Sequence, residues 1–421
     1  LITLFVLYIP FVNSNPEQAL LVLGGDEALV RISLYNDSLS LTFIGLTLII
    51  WQVILLYTFN MNKKENKFLF FLMFLQGVFL GLIQTNDLFN LFVFLELGTV
   101  LVTILITYKK TGASFRAGIY YLLLNTIGAM MFLMGIIMIY YTYGTINIQT
   151  IMQNIGTFSQ SNTIKLAYVF MISGISVKAA LFPVFTWLPK AHGVAQSTIS
   201  GLLSGLIVKG ALYMFIRINN QMFAGAHYET AELFFWIGMI TAVIGAVFAI
   251  SQKDIKQLLA YSTISQVGIM IIGLSAIQGL SYWGGFLHIF NHAFFKTLLF
   301  LSAGVIIKTY NSKKLYEIKG LFMTLPWLSV LVIIALLGVT GAPFFNGFVS
   351  KTLVKYHFQD DVLKTILFQL VNLGTIIYFL KFAQMLFGKK HVDVIHKNIK
   401  QHIGISILAV LILVVGIGFK G

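Results

Sequence analysis

The sequence predicts an all-α, polytopic membrane protein with about twelve complete transmembrane helices. Of its 421 residues, 58% are hydrophobic and only 10% are charged, whereas roughly 25% of residues are charged in soluble domains. Apolar stretches of the roughly 20 residues that a spanning helix needs recur along the whole chain. So few charges could not cover the surface of a soluble protein of this length, and lipid must therefore solvate most of the chain.

Twelve apolar segments follow an N-terminal run over residues 1–12, which is too short to span and is interpreted as the end of a helix. Pro183 ends or breaks the fifth segment and Pro343 breaks the tenth, because proline cannot continue the helical hydrogen-bond ladder. Small residues in the sixth segment permit close approach of a neighbouring helix. In chain order the segments are 38–59, 68–85, 87–107, 117–143, 164–182, 195–217, 231–251, 258–279, 282–307, 323–348, 362–387 and 402–419.

The basic residues predict the orientation. Alternate loops on one side hold seventeen of them: Lys63, Lys64, Lys67, Lys109, Lys110, Arg116, Lys190, Lys253, Lys256, Lys308, Lys313, Lys314, Lys319, Lys389, Lys390, Lys397 and Lys400. The opposite side holds six: Arg31, Lys165, Arg217, Lys355, Lys364 and Lys420. The positive-inside rule places the richer side in the cytoplasm. The net charge of +14 is therefore a topology signal and not a nucleic-acid footprint.

Several kinds of chemistry are excluded. The chain has no cysteine, so it can form neither disulfides nor thiolate-bound metal or iron–sulfur sites. It also lacks the GxxxxGK[ST] phosphate-binding motif. We expect no cofactor, and any redox or nucleotide chemistry would belong to a partner.

Ionisable residues inside the spans are the candidate functional groups, since charges at membrane depth are costly and mark ion pathways. Glu96 lies midway along the third segment, in NLFVFLELG, and Lys178 lies just before the break at Pro183. An ion pair between them is the functional interpretation. The ordinary alternatives are a tilted helix that brings Glu96 near the interface and a lysine that snorkels to water.

The sixth and ninth segments carry further candidates. Lys209 is deep in the sixth segment, and Arg217 is interpreted as an ordinary helix-end anchor. His288, His292 and Lys296 follow at intervals of four and share one helix face. Histidine titrates near neutral pH, which suits proton relay. Two histidines could also share a metal ion, but no third ligand is evident, and we expect no metal.

The two broken helices suggest an internal repeat. Lys351 follows Pro343 as Lys178 precedes Pro183, and each break occupies the fourth of five helices. Five is odd, so the second unit enters the membrane from the opposite side, as in transporters with inverted repeats. Lys381 is close enough to a helix end to snorkel. The expected domains are 1–60 (N-terminal segments), 68–217 (first repeat), 231–387 (second repeat) and 402–421 (C-terminal helix).

Five stretches resemble the antiporter-like subunits of respiratory complex I, Mrp cation/proton antiporters, membrane-bound hydrogenases and bicarbonate-uptake complexes. They are NDLFNLFVFLELG (86–98), VKAALFPVFTWLPKAH (177–192), GLIVKGALYMFIR (205–217), HIFNHAFFKTLLFLSAG (288–304) and GAPFFNGFVSK (341–351). The resemblance runs from about residue 38 to the C-terminus. It implies fourteen helices in the full protein and a midplane proton axis of Glu96, Lys178, Lys209, His288, His292 and Lys351.

Within this family we expect the D-type Mrp subunit. Lys351 stands where one complex I subunit has glutamate, and no long lateral helix is expected after the last segment, although a smaller complex I subunit shares both features. The expected function is proton translocation in a multisubunit sodium/proton antiporter of a prokaryotic cell membrane. Its expected partners are other membrane subunits, protons, Na⁺ or K⁺, and lipid. The alternative is a proton-pumping subunit of a complex I-type NADH:quinone oxidoreductase or a hydrogenase. A purely structural scaffold does not explain polar sites at two helix breaks.

Overall fold

The computed structural model describes residues 20–23, 32–58, 66–388 and 399–418. Within these ranges the chain is almost entirely helical, which confirms the predicted membrane fold. The exception is a pair of short strands, β1 (Leu20–Leu23) and β2 (Ile32–Tyr35), which pair antiparallel with Leu20 opposite Tyr35. The sequence analysis did not predict this pair. The helix end expected over residues 1–12 lies outside the described residues.

The helices of two turns or more are numbered in chain order. They are α1 (Ser38–Thr58), α2 (Asn66–Gln84), α3 (Leu88–Thr107), α4 (Gly112–Tyr143), α5 (Ile148–Phe158), α6 (Asn162–Lys178), α7 (Trp187–Val194), α8 (Ser197–Met222), α9 (Ala231–Ser251), α10 (Ile255–Leu274), α11 (Gly279–Tyr310), α12 (Pro326–Thr340), α13 (Asn346–Lys355), α14 (Val362–Ala383) and α15 (Ile399–Gly418). Within α8 the turns Leu203–Ile207 and Ile216–Met222 are π-helical.

Ten helices in the described residues are long and apolar enough to cross a membrane. They correspond to ten of the twelve predicted segments. The remaining two predicted segments, 164–182 and 323–348, are those with a proline at the predicted break. In the structure each is a shortened helix, α6 or α12, followed by a break and a second short helix, α7 or α13. The predicted breaks are therefore confirmed.

The first break begins directly after Lys178, the last residue of α6. Ala180 adopts a left-handed φ of 56°, a conformation that costs an L-residue about 1–2 kcal/mol. Pro183 supplies no backbone N–H, and its bond to Phe182 is cis. Helical structure resumes only at Trp187. Lys178 is thus held at an interrupted helix end within an apolar part of the chain.

The second break also interrupts a helix near a proline, but glycines make its turn. Gly341 caps α12 with a φ of 82°, a conformation that glycine adopts without strain. Gly347, in the first turn of α13, lies against the carbonyl of Gly338, where a Cβ would clash. This close approach brings the end of α12 and the start of α13 together, and it positions Lys351 one turn farther along.

Side-chain caps fix several helix starts. Asp87 accepts a hydrogen bond from the N–H of Asn90 at the start of α3. Thr111 and Ser114 form a capping box at the start of α4, and Asp254 accepts from two N–H groups of α10. Such caps satisfy N–H groups that the first turn leaves without partners. They define where the spans carrying Glu96 and the later polar groups begin.

The chain packs as two compact units. The first comprises the described residues of Leu1–Trp51, Glu65–Ala179 and Val208–Glu229, and the second comprises those of Gln52–Lys64, Ala180–Ile207 and Thr230–Gly421. In the first unit α4 and α6 approach closely at Gly128 and Gly174, and in the second α9 and α10 approach at Gly245 and Gly268. Glycine permits such contact between membrane helices. These packing units differ from the predicted repeats, which are defined by chain order and remain a prediction.

Candidate functional site

Glu96 and Lys178 lie in the first unit and face each other. Glu96 is in the middle of α3 and Lys178 is the last residue of α6. The Lys178 Nζ is 3.9 Å from Glu96 Oε1, and the two side chains are 9% and 22% exposed. The ion pair that the sequence suggested is therefore present, but it is longer than a direct hydrogen bond.

Two threonines hold the members of this pair. Lys178 Nζ donates a 2.7 Å hydrogen bond to Thr99 Oγ1, and Thr126 Oγ1 donates a 3.3 Å hydrogen bond to Glu96 Oε2. Glu96 Oε1, which faces Lys178, is buried and has no hydrogen-bond partner in the described part of the chain. The lysine thus has two acceptors within reach and is bonded to the neutral one. The sequence analysis missed Thr99, although it lies one turn after Glu96 on the same helix face.

Lys209 is completely buried in the middle of α8. The two π-helical turns of α8 lie on either side of it, at Leu203–Ile207 and Ile216–Met222. Such turns occur often at functional sites. Next to it, Gly210 lies against the ring of Phe79 from α2, which bears out the close helix approach predicted from the small residues.

Arg217 is not the simple helix-end anchor that the sequence suggested. It is buried, and its guanidinium makes a bidentate ion pair with Asp37 at 2.5 and 2.6 Å. Its Nε donates to Tyr213 Oη at 3.0 Å. Burial raises the pKa of Asp37, but the hydrogen bonds and charge of Arg217 outweigh this effect and hold the pKa below its usual range. No local pattern could have revealed a partner 180 residues away.

His288 lies in the second unit at the centre of a polar cluster. Its Nε2 is 3.0 Å from Gln266 Oε1, and its Nδ1 is 2.8 Å from Ser350 Oγ on α13. Because the Gln266 amide nitrogen faces Thr375 and Tyr378, its oxygen is the acceptor, and His288 donates from Nε2. Nδ1 then accepts from the Ser350 hydroxyl. The ring is oriented at both nitrogens, as a relay group requires.

His292 and Lys296 continue along the same face of α11, and both are fully buried. The His292 ring packs edge-on against Phe295 at 5.3 Å. Lys296 donates to the hydroxyl of Ser262 and to the carbonyl of Leu259. In the described ranges no three histidine or acidic side chains are grouped closely enough to hold a metal ion.

Lys351 bonds to the end of the broken helix. Its Nζ donates a 2.9 Å hydrogen bond to the carbonyl of Val339, in the last turn of α12. In a continuous helix that carbonyl would accept from the residue four positions on, which is Pro343 and has no N–H. The proline therefore leaves a buried acceptor at the negative end of a helix dipole, and the lysine occupies it.

Two further lysines that the sequence placed in a loop or near a helix end make hydrogen bonds inside the protein. Lys256, which was counted among the loop residues, is 2% exposed and donates to the carbonyl of Ala195 at 2.7 Å. The hydropathy pattern misplaced it because it lies one residue after the start of α10. Lys381 donates to the carbonyl of Ile250 at 2.7 Å and is partly buried. Both are bonded within the second unit.

These observations define a multi-pass helical membrane protein with ionisable residues buried at two helix breaks. Comparison with known proteins gives the family. Residues 85–377 match the family described as "NADH:quinone oxidoreductase/Mrp antiporter, TM", and this range includes all six predicted site residues. The chain belongs to this family of membrane subunits, and it is a multi-pass membrane protein of a prokaryote.

Curated relatives place it more narrowly among D-type Mrp subunit homologues. It is 31% identical over 408 residues to the protein named "Putative antiporter subunit mnhD2" of Staphylococcus aureus strain MRSA252, covering 94% of this chain and 81% of that protein. It is 32% identical over 346 residues to the mnhD2 protein of Staphylococcus epidermidis strain RP62A, covering 81% of this chain and 68% of that protein.

Two solved structures have the same fold. A chain of the Mrp complex from Dietzia sp. DQ12-45-1b superposes with a TM-score of 0.89 at 21% identity, covering 99% of this chain and 87% of that chain. A chain of the membrane-bound sulfane sulfur reductase, an archaeal respiratory membrane complex, superposes with a TM-score of 0.86 at 26% identity, covering 99% and 88%. The fold is thus shared by an Mrp complex and a respiratory complex.

Proposed function

We propose that this chain is the proton-translocating membrane subunit of an Mrp-type multisubunit antiporter that exchanges a monovalent cation, sodium, for protons. The D-type relatives support the antiporter assignment. The partners are then other membrane subunits of the same complex. The basic loops face the cytoplasm, and the two five-helix repeats 68–217 and 231–387 have opposite orientations in the membrane.

The arrangement of Glu96, Lys178 and Thr99 carries this proposal. A fixed structural ion pair would be closed, with a nitrogen–oxygen distance of about 2.7–2.9 Å. Here the Lys178 ammonium is bonded to Thr99 at 2.7 Å and stands 3.9 Å from the carboxylate. A movement of about 1 Å would exchange one partner for the other. The geometry suits a pair that opens and closes.

Opening and closing change the proton affinity of the lysine. A carboxylate in contact stabilises the ammonium form, whereas a hydroxyl partner stabilises it less. Lys178 therefore holds its proton when it contacts Glu96 and releases it more readily when it moves to Thr99. The alternation gives one cycle of proton loading and release at the end of α6.

The other buried groups extend the pathway. Lys209, His288, His292 and Lys351 form the remaining members of the proposed axis. His288, oriented by Gln266 and Ser350, can accept a proton at Nδ1 while its Nε2 donates. Lys351 takes the role of Lys178 at the second break, with the Val339 carbonyl as its neutral partner. Cation movement is coupled to this pathway through a neighbouring subunit.

A second candidate is a proton-pumping subunit of a redox complex of the complex I or hydrogenase type. The family description includes NADH:quinone oxidoreductase, and the fold also occurs in a respiratory complex. In that case the chain would translocate protons within an NADH:quinone oxidoreductase or a related enzyme. The driving reaction would occur in other subunits.

The experiment that separates the two candidates uses the intact complex in sealed vesicles. Proton movement is followed with a pH-sensitive dye after a pulse of Na⁺ or K⁺, without any electron donor. Cation-dependent proton movement supports the antiporter. No response to cations, together with proton pumping when NADH or another reductant is added, would assign the chain to a redox-driven pump.

A further inference from the structure

The first unit contains a polar cavity that the proposed axis does not use. Its volume is about 240 Å³, which is room for several water molecules. Its walls include Asn86, Gln149 and Met152 beside the ion pair of Asp37 and Arg217. Asn86 bonds to Gln149, and both belong to a network of amide and hydroxyl groups around β2. A cavity with such walls is suited to hold water.

The cavity lies beside α8, the helix that carries Lys209. Lys209, Tyr213 and Arg217 are spaced by four residues and share one face of this helix. All three are buried, at 0%, 1% and 8% exposed in that order, and Arg217 also lines the cavity. A rise of 1.5 Å per residue separates Lys209 from Arg217 by about 12 Å.

Polar contacts connect the cavity wall to Tyr213 on this helix face. Arg217 donates to Tyr213 and also, from Nη1, to Gln221 at 2.8 Å. The Tyr213 hydroxyl donates in turn to the carbonyl of Ile83. The turn Ile216–Met222 that carries Arg217 and Gln221 is π-helical, a geometry common at functional sites. A purely apolar helix packing would not need this series of buried polar groups.

We propose that the cavity is the mouth of an aqueous proton route to Lys209, and that the pair of Arg217 and Asp37 sets the barrier at its inner end. The proposal rests on the proposed function and gives the first unit an access route of its own. The proton leaves the Lys209 ammonium for a water molecule, which becomes hydronium, and Lys209 becomes a neutral amine. The charge then passes outward through water, along the face that carries Tyr213, to the cavity. Asp37 neutralises the guanidinium, whose charge would otherwise repel the passing proton.

On the proposed orientation this mouth opens on the side away from the basic loops. α5, which carries Gln149 and Met152, lies between the fourth and fifth predicted segments, 117–143 and 164–182. Basic residues are concentrated in alternate loops, and the loop between the fourth and fifth segments is on the side that holds few of them. A reagent applied from outside the cell should therefore reach it.

The absence of cysteine from the chain permits a direct test. Met152→Cys places a thiol in the cavity wall, and Gln153→Cys places one on the exposed face of the same helix. Each variant complex is treated, in vesicles of either orientation, with a membrane-impermeant, positively charged methanethiosulfonate. Cation-driven proton flux is measured before and after treatment, so that each variant is its own reference. The untreated and treated parent complex gives the background from other subunits.

We expect labelling of Met152→Cys from one side only and a loss of at least tenfold in its proton flux, because a fixed positive charge then occupies the mouth. Labelling of Gln153→Cys should leave its flux unchanged. Equal flux before and after confirmed labelling of Met152→Cys would overturn the proposal. A parent complex without cation-driven flux would instead refute the proposed function. Should Met152→Cys fail to assemble, Gln149→Cys provides the same test from the neighbouring wall position.

Discussion

Replacing Glu96 tests whether its charge, and not its shape, supports transport. At 3.9 Å, two unit charges in a partly buried site attract by about 4 kcal/mol when the effective dielectric constant is about 20. Glu96→Gln keeps the size of the side chain and removes this attraction. Since about 1.4 kcal/mol corresponds to a factor of ten, the protonated form of Lys178 loses up to roughly a thousandfold of its stabilisation.

Glu96→Asp supplies the graded control. It keeps the charge but withdraws the carboxylate by one carbon–carbon bond of about 1.5 Å, which lowers the attraction to about 3 kcal/mol. Transport should therefore fall in the order Glu, Asp, Gln, with a drop of at least tenfold for Glu96→Gln. A purely packing role predicts instead that Glu96→Gln transports better than Glu96→Asp, because glutamine fits the site better than aspartate.

The assay is the initial rate of proton movement in vesicles after a cation pulse, normalised to the amount of assembled complex on a native gel. Thr126→Val, which removes only the 3.3 Å hydrogen bond to Glu96, should reduce the rate several-fold at most. If Glu96→Gln transports as well as Glu96→Asp in fully assembled complexes, the electrostatic reasoning is wrong.

Three further predictions concern the neutral partner of Lys178, the second break and the buried arginine. Thr99→Val should slow transport about tenfold whereas Thr99→Ser should retain it, since a hydrogen bond to a charged group contributes about 1.5–3 kcal/mol; equal rates in the two variants would contradict the role of the hydroxyl. Lys351→Leu should abolish cation-driven proton movement in vesicles, whereas Lys355→Ala, on the same helix, should not. A loss of flux in both variants would indicate a shared structural defect. Because the pKa of Asp37 is held below its usual range, its pair with Arg217 stabilises the fold above about pH 4 and loses this contribution as the pH falls through the lowered value. The thermal midpoint of the purified complex should therefore drop on acidification, and Asp37→Asn should weaken that dependence; identical pH profiles would refute the assignment.

The sequence predicted the membrane spans from the lengths of the apolar segments and the helix breaks from the positions of the prolines. Pro183 and Pro343 indicated both helix breaks because a missing N–H has the same effect in any helix. The sequence also identified four ionisable candidates, because a charge within an apolar span is costly and therefore marks a functional position: Glu96, Lys178, Lys209 and Lys351. The structure buries the three lysines, leaves Glu96 partly buried, and supplies the predicted partner for Lys178.

What the sequence could not supply depends on contacts between distant parts of the chain. Thr99 is one of several threonines that also bond to their own helix, so nothing local distinguishes it as a lysine partner. Asp37 precedes a span and resembles an ordinary loop acid, and only folding brings it to Arg217. Lys256 follows a helix start closely enough that hydropathy alone assigned it to a loop.

The packing units also lie beyond sequence reasoning. The chain passes from one unit to the other after Ala179 and again after Ile207, within the first predicted repeat. Repeats follow the order of helices along the chain, whereas units follow the contacts that the helices make. A segment such as Ala180–Ile207 can therefore belong to the first predicted repeat and pack in the second unit.

The central claim is that Lys178 carries the transported proton, and comparison of Lys178→Ala with Lys165→Ala tests it most directly. Lys165 is an exposed lysine on the same helix, so the two variants remove the same group from α6 at buried and exposed positions. Both complexes are reconstituted, their assembly is verified, and proton movement is recorded after a sodium or potassium pulse without an electron donor. The account predicts normal flux in Lys165→Ala and none in Lys178→Ala. Normal flux in an assembled Lys178→Ala complex would contradict it.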